Sequence, residues 1–234
     1  MIAARRLVAL VAAGFSMLLS GCLTLRHALA PPPPPPQNYT APPSEGKPMR
    51  RIALLPLWSE KLPGDYLREL DAAFSAELTK MALFEVVPVS RGQMEAAFGE
   101  RQLASIDALP AKTLSSLRTQ FAVDGVVFTD LTHFSPYRPL SMAVRAKLVD
   151  VTSGEIRWAF DNVYDTGHAA VAESAKKFQR GYANQQQPLR SDGGTILLSP
   201  SRFAKYVASQ TYASLRPEAE RGMFSAKAFA SPDR

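Results

Sequence analysis

Residues 146–160 read AKLVDVTSGEIRWAF. On the upstream side Met142, Val144, Ala146 and Leu148 alternate with Arg145 and Lys147; on the downstream side Ile156, Trp158 and Phe160 alternate with Arg157 and Ala159. An apolar–polar period of two marks a strand with one buried face. Between the two halves, DVTSGE supplies Gly154, which adopts positive φ at no steric cost. The stretch is therefore expected to be a β-hairpin that buries Ile156, Trp158 and Phe160 on one side.

Working outward, VDGVVFTDL (123–131) and RIALLPLW (51–58) are nearly continuous apolar runs, as expected of strands covered on both faces, and FEVVPV (84–89) is a shorter strand stopped by Ser90-Arg91-Gly92. A helix entered through Pro63-Gly64-Asp65 carries Leu67, Leu70, Phe74, Leu78 and Met81 on one face, with Glu69, Glu77 and Lys80 largely off it. Short helices are expected within Gln93–Phe98 and Thr113–Phe121, separated by Pro110. After the hairpin, His168–Tyr182 reads as a helix with Val171, Ala175, Phe178 and Tyr182 on one face, followed by the polar loop NQQQPLRSDGGT (184–195). A last helix starts at the cap Ser199-Pro200, presents Phe203, Val207, Thr211 and Leu215, and stops at Pro217. Strand and helix in this order argue for an α+β (α/β-like) fold: a mixed β-sheet with helices packed against it, including a C-terminal β-hairpin and following helices. There is no internal repeat.

The order of RRIALLPLW, LRELDAAFSAEL, FEVVPVSR, FAVDGVVFTDL and above all AKLVDVTSGEIRWAF resembles a group of bacterial envelope lipoproteins. That group holds the curli-secretion lipoproteins, the lipoprotein activators of penicillin-binding proteins and the N-terminal domain of the Tol-system propeller protein. The resemblance covers about Arg51 to Asp165 and is most specific over Leu148–Trp158. In two places the chain departs from the group: Val89-Ser90-Arg91 replaces the Asp-Arg that usually follows the second strand, and Thr129 stands where a glycine is frequent. The resemblance implies the mixed-sheet fold and a role in the cell envelope.

The N-terminus gives the address. Arg5 and Arg6 precede an apolar run, Leu7–Leu19, too short to span a bilayer, which takes about 20 apolar residues. Leu19-Ser20-Gly21-Cys22 then resembles a lipobox, and Cys22 is the only cysteine in the chain. The expected organisation is a signal peptide over 1–21, a lipidated Cys22 with a Pro-rich flexible linker over 22–49, one periplasmic α/β domain over 50–217, and a disordered tail over 218–234. Leu23 after Cys22, by resemblance to known sorting rules, favours the outer membrane, with the domain on the periplasmic face. The proline-rich APPPPPPQNYTAPPSEGKP (30–48) reads as a spacer, and residues 23–49 at about 3.1 Å each reach roughly 80 Å. No disulfide is available, so the domain must rest on its core. Removal of the signal takes Arg5 and Arg6 from 27 basic residues and leaves a mild net charge of about +4 against 21 acidic ones. Lys176, Lys177 and Arg180, the densest basic group, read as a solvated helix face, and no nucleic-acid partner is expected.

The sequence offers little chemistry. His27, His133 and His168 lie in separate segments without a ligand pattern, so neither a metal site nor a cofactor is expected. No nucleophile elbow or phosphate loop is present, and Gly193-Gly194 reads as a surface turn. Asp124, Asp130 and Asp150 read as strand-end and turn residues. The chain is accordingly expected to act by binding and not as an enzyme. THFSPYRP (132–139) between the third and fourth strands is too short for the 9–11-residue membrane strands, roughly, that a secretion pore needs. It places Phe134, Tyr137 and Arg138 on a loop as interaction candidates or as a local cap on the sheet, and Trp58, at the end of the first strand, carries the same two readings. The expected partners are the membrane, through the lipid, and an envelope protein. A self-assembling subunit and a small-ligand or enzymatic domain stay open.

Overall fold

The computed structural model describes residues 37–41, 48–107, 111–186 and 193–216, all within the unit Pro35–Arg234. Along the chain come β1 (Gln37–Thr40), β2 (Arg51–Leu54), α1 (Gly64–Lys80), β3 (Glu85–Pro88), α2 (Arg91–Phe98), α3 (Ala111–Phe121), β4 (Gly125–Ser135), β5 (Ser141–Asp150), β6 (Ile156–Asp165), α4 (Ala169–Gln186), a 3-10 turn over Gly194–Leu198, and α5 (Pro200–Ala213). The fold is α+β. Six strands form one mixed sheet in the order β1-β6-β5-β4-β2-β3, with β2 parallel to β3 and β4 and the remaining pairs antiparallel.

The hairpin forms as its alternation requires, and its turn explains the Asp-Val-Thr-x-Gly motif. The Asp150 carboxylate accepts from the Thr152 and Ser153 N–H groups (2.7 and 3.1 Å), while Gly154 sits at φ +75 and donates to the Asp150 carbonyl at 2.9 Å. Val151 turns inward and is buried. One expectation fails here. The register shifts between Leu148, opposite Trp158, and Val149, opposite Ile156, so a bulge puts Ile156 on the other face from Trp158, where it is 44% exposed.

Trp158 and Phe160 face the helical layer of α1, α4 and α5. There they join Leu67, Leu70, Phe74 and Leu78 of α1, Val171 and Ala175 of α4, and Phe203, Tyr206, Val207 and Tyr212 of α5 in the larger core. The Trp158 indole N–H donates to Ser214 Oγ at 3.0 Å, and Ser214 Oγ in turn donates to the Thr211 carbonyl at 2.7 Å. Thr129, in the position where a glycine is frequent in the resembling group, is buried 3.5 Å from the Tyr212 hydroxyl. A smaller core on the opposite face joins Ala53, Leu55, Val126, Phe128 and Val149 to Met94 of α2 and Leu117 of α3.

Further departures from the sequence reading are local. Gln37–Thr40, inside the stretch expected to be spacer over 22–49, pairs antiparallel with β6 as an edge strand. Strand β4 continues to Ser135, which places Phe134 in a strand instead of a loop. Glu77, expected off the apolar face of α1, is buried, and the Lys80 ammonium donates to it at 2.8 Å. Ser90 does not only stop β3: with Gln93 it forms a capping box that starts α2 two residues earlier than expected. The α5 cap is as read, Ser199 accepting from the Arg202 N–H with Pro200 in the first turn. The segments 1–21 and 218–234, with Cys22, Pro110, Pro217 and the Tyr182 side chain, lie outside the described residues.

Because Trp158 is buried and packs against the rings of Phe160 and Tyr212, Trp158→Ala is expected to destabilise the domain by about 3–5 kcal/mol, read as a fall in the urea midpoint at unchanged slope. Exposed Val163→Ala, one strand position away from buried Tyr164, is expected to change the midpoint little.

Candidate functional site

Helices α1, α4 and α5 pack on one face of the sheet, whereas α2 and α3 contribute to a core under β2 and β4 and the inner end of β5 on the other. The second face of β5, β6 and β1 is left with a groove of about 590 Å³. Its floor is built from cross-strand rows. In one row Tyr39 stands opposite Ala159, Ala159 opposite Lys147 and Lys147 opposite Phe128. The Lys147 ammonium lies 5.4 Å from the Phe128 ring centroid, where a cation is attracted to the ring face. In the next row Gln37 stands opposite Asp161, Asp161 opposite Arg145 and Arg145 opposite Asp130. Arg145 Nε donates to Asp161 Oδ2 at 3.0 Å, a half-exposed pair that contributes about 0–1 kcal/mol.

Asp130 anchors the rim. It is buried and accepts from both the Ser105 N–H (2.7 Å) and Ser105 Oγ (2.6 Å), which ties the segment after α2 to the sheet and sets Ile106 beside the groove. Burial pushes the Asp130 carboxyl above its ordinary range, opposed by the Ser105 bonds and by the charges of Arg145 and Lys147. Burial likewise pushes Lys147 down, opposed by Asp130 and Asp107. The groove lining carries Arg145 and Lys147 against the single carboxylate Asp161, with Asp130 buried beside them. Its distinguishing property is apolar: Ile106 (68%), Tyr39 (53%) and Ile156 (44%) line it, and Val163 (58%) continues the same face of β6. Exposed apolar groups beside Arg145 are interface chemistry.

The residues singled out from sequence fall elsewhere. Phe134 packs against the main core and its ring lies 5.5 Å from Tyr66. Tyr137, 79% exposed, sits beyond the end of β4, and Arg138 Nε donates to the Leu197 carbonyl at 3.4 Å. These three share the β4–β5 corner. Trp58 is half-buried and fixed by its backbone: its N–H donates to the Thr129 carbonyl and its carbonyl accepts from the Leu131 N–H (2.9 and 2.8 Å). Of the three aspartates read as strand-end and turn residues, Asp130 lies inside β4 and is buried, whereas Asp124 precedes β4 and Asp150 stands at the turn. Asp124 accepts from the Arg50 and Arg51 N–H groups at the start of β2, Asp130 holds Ser105, and Asp150 caps the hairpin turn.

A charge pair of buried Arg91 and part-buried Asp71 lies beyond the ends of β2 and β3. Arg91 donates to Asp71 (3.0 Å), the Leu57 carbonyl (2.8 Å) and Gln102 Oε1 (2.7 Å), while Asp71 accepts from the Leu57 N–H at 2.8 Å. Burial raises the Asp71 carboxyl despite these partners. The cluster locks α1, α2 and the segment after β2 together. Among the described residues no group of three or more His, Cys, Asp or Glu side chains is placed to hold a metal ion.

No family model matches the chain, and no curated protein does. Among solved structures it is similar to the PelC dodecamer from Paraburkholderia phytofirmans, at 12% identity and a TM-score of 0.43 over 76% of this chain and 94% of that one. It is similar to lipoprotein GNA1162 from Neisseria meningitidis at 20% identity and 0.41 over 58% and 99%. The LpoB C-terminal domain from Escherichia coli follows at 17% and 0.30 over 51% and 86%. At these values no function passes from those proteins to this chain.

The raised Asp130 carboxyl binds its proton more tightly in the folded state than in the unfolded one. Its contribution is therefore present in acid and is lost as pH rises through the folded value. Asp130→Asn, which keeps the shape and removes the titration, is expected to gain stability relative to the native chain as pH rises above the ordinary carboxylate value of about 4, measured as the difference of urea midpoints at each pH.

Proposed function

We propose that this chain is a lipid-anchored accessory protein of the cell envelope that acts by binding an envelope protein, without catalysis, through the second face of β5, β6 and β1. The observation that carries this reading is the cluster of Tyr39, Ile106, Ile156 and Val163, large apolar side chains exposed together on one sheet face. The lipobox-like Leu19-Ser20-Gly21-Cys22 supports the anchor, and Leu23 supports sorting to the outer membrane with the domain in the periplasm. With β1 beginning at Gln37, the chain between Cys22 and the sheet is residues 23–36, which reaches at most roughly 45 Å at about 3.1 Å per residue. That reach suits a partner close to the membrane.

The experiment keeps the full chain in its own membrane. A photo-cross-linking residue at Ile156 or Val163 is expected to capture one and the same envelope protein, while the same group at Glu69 or Glu95, exposed on α1 and α2, is expected to capture none. Equal capture from all four positions would remove the face from the proposal. Cys22→Ala is expected to move the protein from the outer-membrane fraction to the soluble periplasm; unchanged fractionation would remove the anchor.

A further inference from the structure

Among the described residues strand β1 is the outer edge of the sheet beside the groove, and its hydrogen bonding shows which backbone groups point away from β6. The Ala41 N–H donates to the Arg157 carbonyl at 2.9 Å, continuing the register in which Tyr39 faces Ala159 and Gln37 faces Asp161. In an antiparallel ladder alternate residues bond inward. Ala41, Tyr39 and Gln37 therefore bond to β6, and the amides and carbonyls of Asn38 and Thr40 point away from the sheet. The opposite edge, β3, is protected by Glu85 and Pro88, but β1 reads QNYT, with neither charge nor proline inside the strand and all four residues exposed.

We propose that this edge pairs with β1 of a second copy of the chain, antiparallel, about a two-fold axis that passes at Tyr39. The register follows from the outward groups. Asn38 of one copy and Thr40 of the other form the hydrogen-bonded pairs, about four bonds in all, and Tyr39 stands opposite its own copy at the narrow non-hydrogen-bonded position. A two-fold axis sets each residue against its symmetry partner, so a charged strand would repel itself and this uncharged one does not. Pro36 and Pro42 bracket the strand in sequence, and β3 offers no second free edge. Assembly consequently closes at two copies instead of growing.

The consequence for the groove is direct. Tyr39 lines it, so pairing joins two six-stranded sheets and sets two grooves side by side on one face with the two Tyr39 rings at the seam. So short a ladder is weak in dilute solution. Confinement by anchors attached at the same distance from β1 raises the local concentration, and to that extent the pairing rests on the anchor reading above.

The test is disulfide formation by the full-length lipoprotein in its native membrane under a mild oxidant. A lipidated Cys22 is a thioether and forms no disulfide, so a single introduced thiol reports on itself. Tyr39→Cys is expected to give a dimer on a non-reducing gel, at a yield at least about tenfold above that of Gln37→Cys. Gln37 points to the same side, but in this register it lies opposite residue 41 and roughly 13 Å along the strand from its own copy. Adding Asn38→Pro to Tyr39→Cys removes an outward amide, leaves the bonds to β6 in place, and is expected to abolish the dimer. A monomeric Tyr39→Cys, or equal yields from positions 37 and 39, overturns the pairing. A dimer of the unsubstituted chain through a free Cys22 is a separate result: it overturns the anchor and the confinement on which the pairing depends.

Discussion

The one-residue register shift in the hairpin, where Leu148 pairs with Trp158 but Val149 pairs with Ile156, determines what each face of this sheet can do. Side chains alternate along a strand, so a single extra residue inverts every side chain on one side of it. On the outer side of the bulge Trp158 and Phe160 point into the layer formed by α1, α4 and α5, and Ala159 and Asp161 form the floor of the groove. On the turn side Val149 belongs to the smaller core and Ile156 joins the groove. Without the bulge Ile156 would share a face with Trp158.

The two faces carry different loads because of where the connections run. Helix α1 and the two helices after β6 all choose the Trp158 face, where Tyr206 meets Phe178, Phe203 and Tyr164 with ring centroids 5.7–5.8 Å apart. Of the described helices, the short α2 and α3 contribute to the core on the other face. The uncovered strands are stabilised from one side and by cross-strand pairs such as Arg145–Asp161, and buried polar contacts hold the boundary. Asp130 with Ser105 fixes the segment that edges the groove, and Arg91 with Asp71 fixes the far side. Both carboxyls are raised by burial, a cost that their hydrogen bonds only partly offset. Of the two, Asp130 with Ser105 lies at the groove, and Arg91 with Asp71 ties α1 and α2 together beyond the ends of β2 and β3.

Much of the candidate site was hidden in the sequence for identifiable reasons. Tyr39 lies in QNYT between prolines, and one aromatic among three polar residues has no periodicity that marks a strand; pairing with β6 makes them one. Ile106 follows Ser105 in a segment with no pattern, and its position depends on the Asp130 carboxylate 25 residues later. Val163 extends a strand whose recognisable alternation ends at Phe160. By contrast, the aromatic and arginine side chains that stood out in HFSPYRP reach the β4–β5 corner, where Phe134 serves the core and Arg138 reaches Leu197. Residue type identifies groups capable of binding, but exposure depends on neighbours distant in sequence.

The sequence by itself determined the elements: the period-two hairpin, the amphipathic α1 with Leu67, Leu70, Phe74 and Leu78, the Ser199-Pro200 cap, and the positive φ at Gly154. Each rests on interactions within a few residues, so local order is enough to read it. It also carried the lipobox-like motif around Cys22, which is a matter of linear spacing. Only the tertiary structure decided that Gln37–Thr40 closes one edge of the sheet, that Ile156 turns outward, and that three helices crowd one face while the other stays half open. Those outcomes depend on register and on long-range pairing, and one residue of register carries an apolar side chain from the core to the surface.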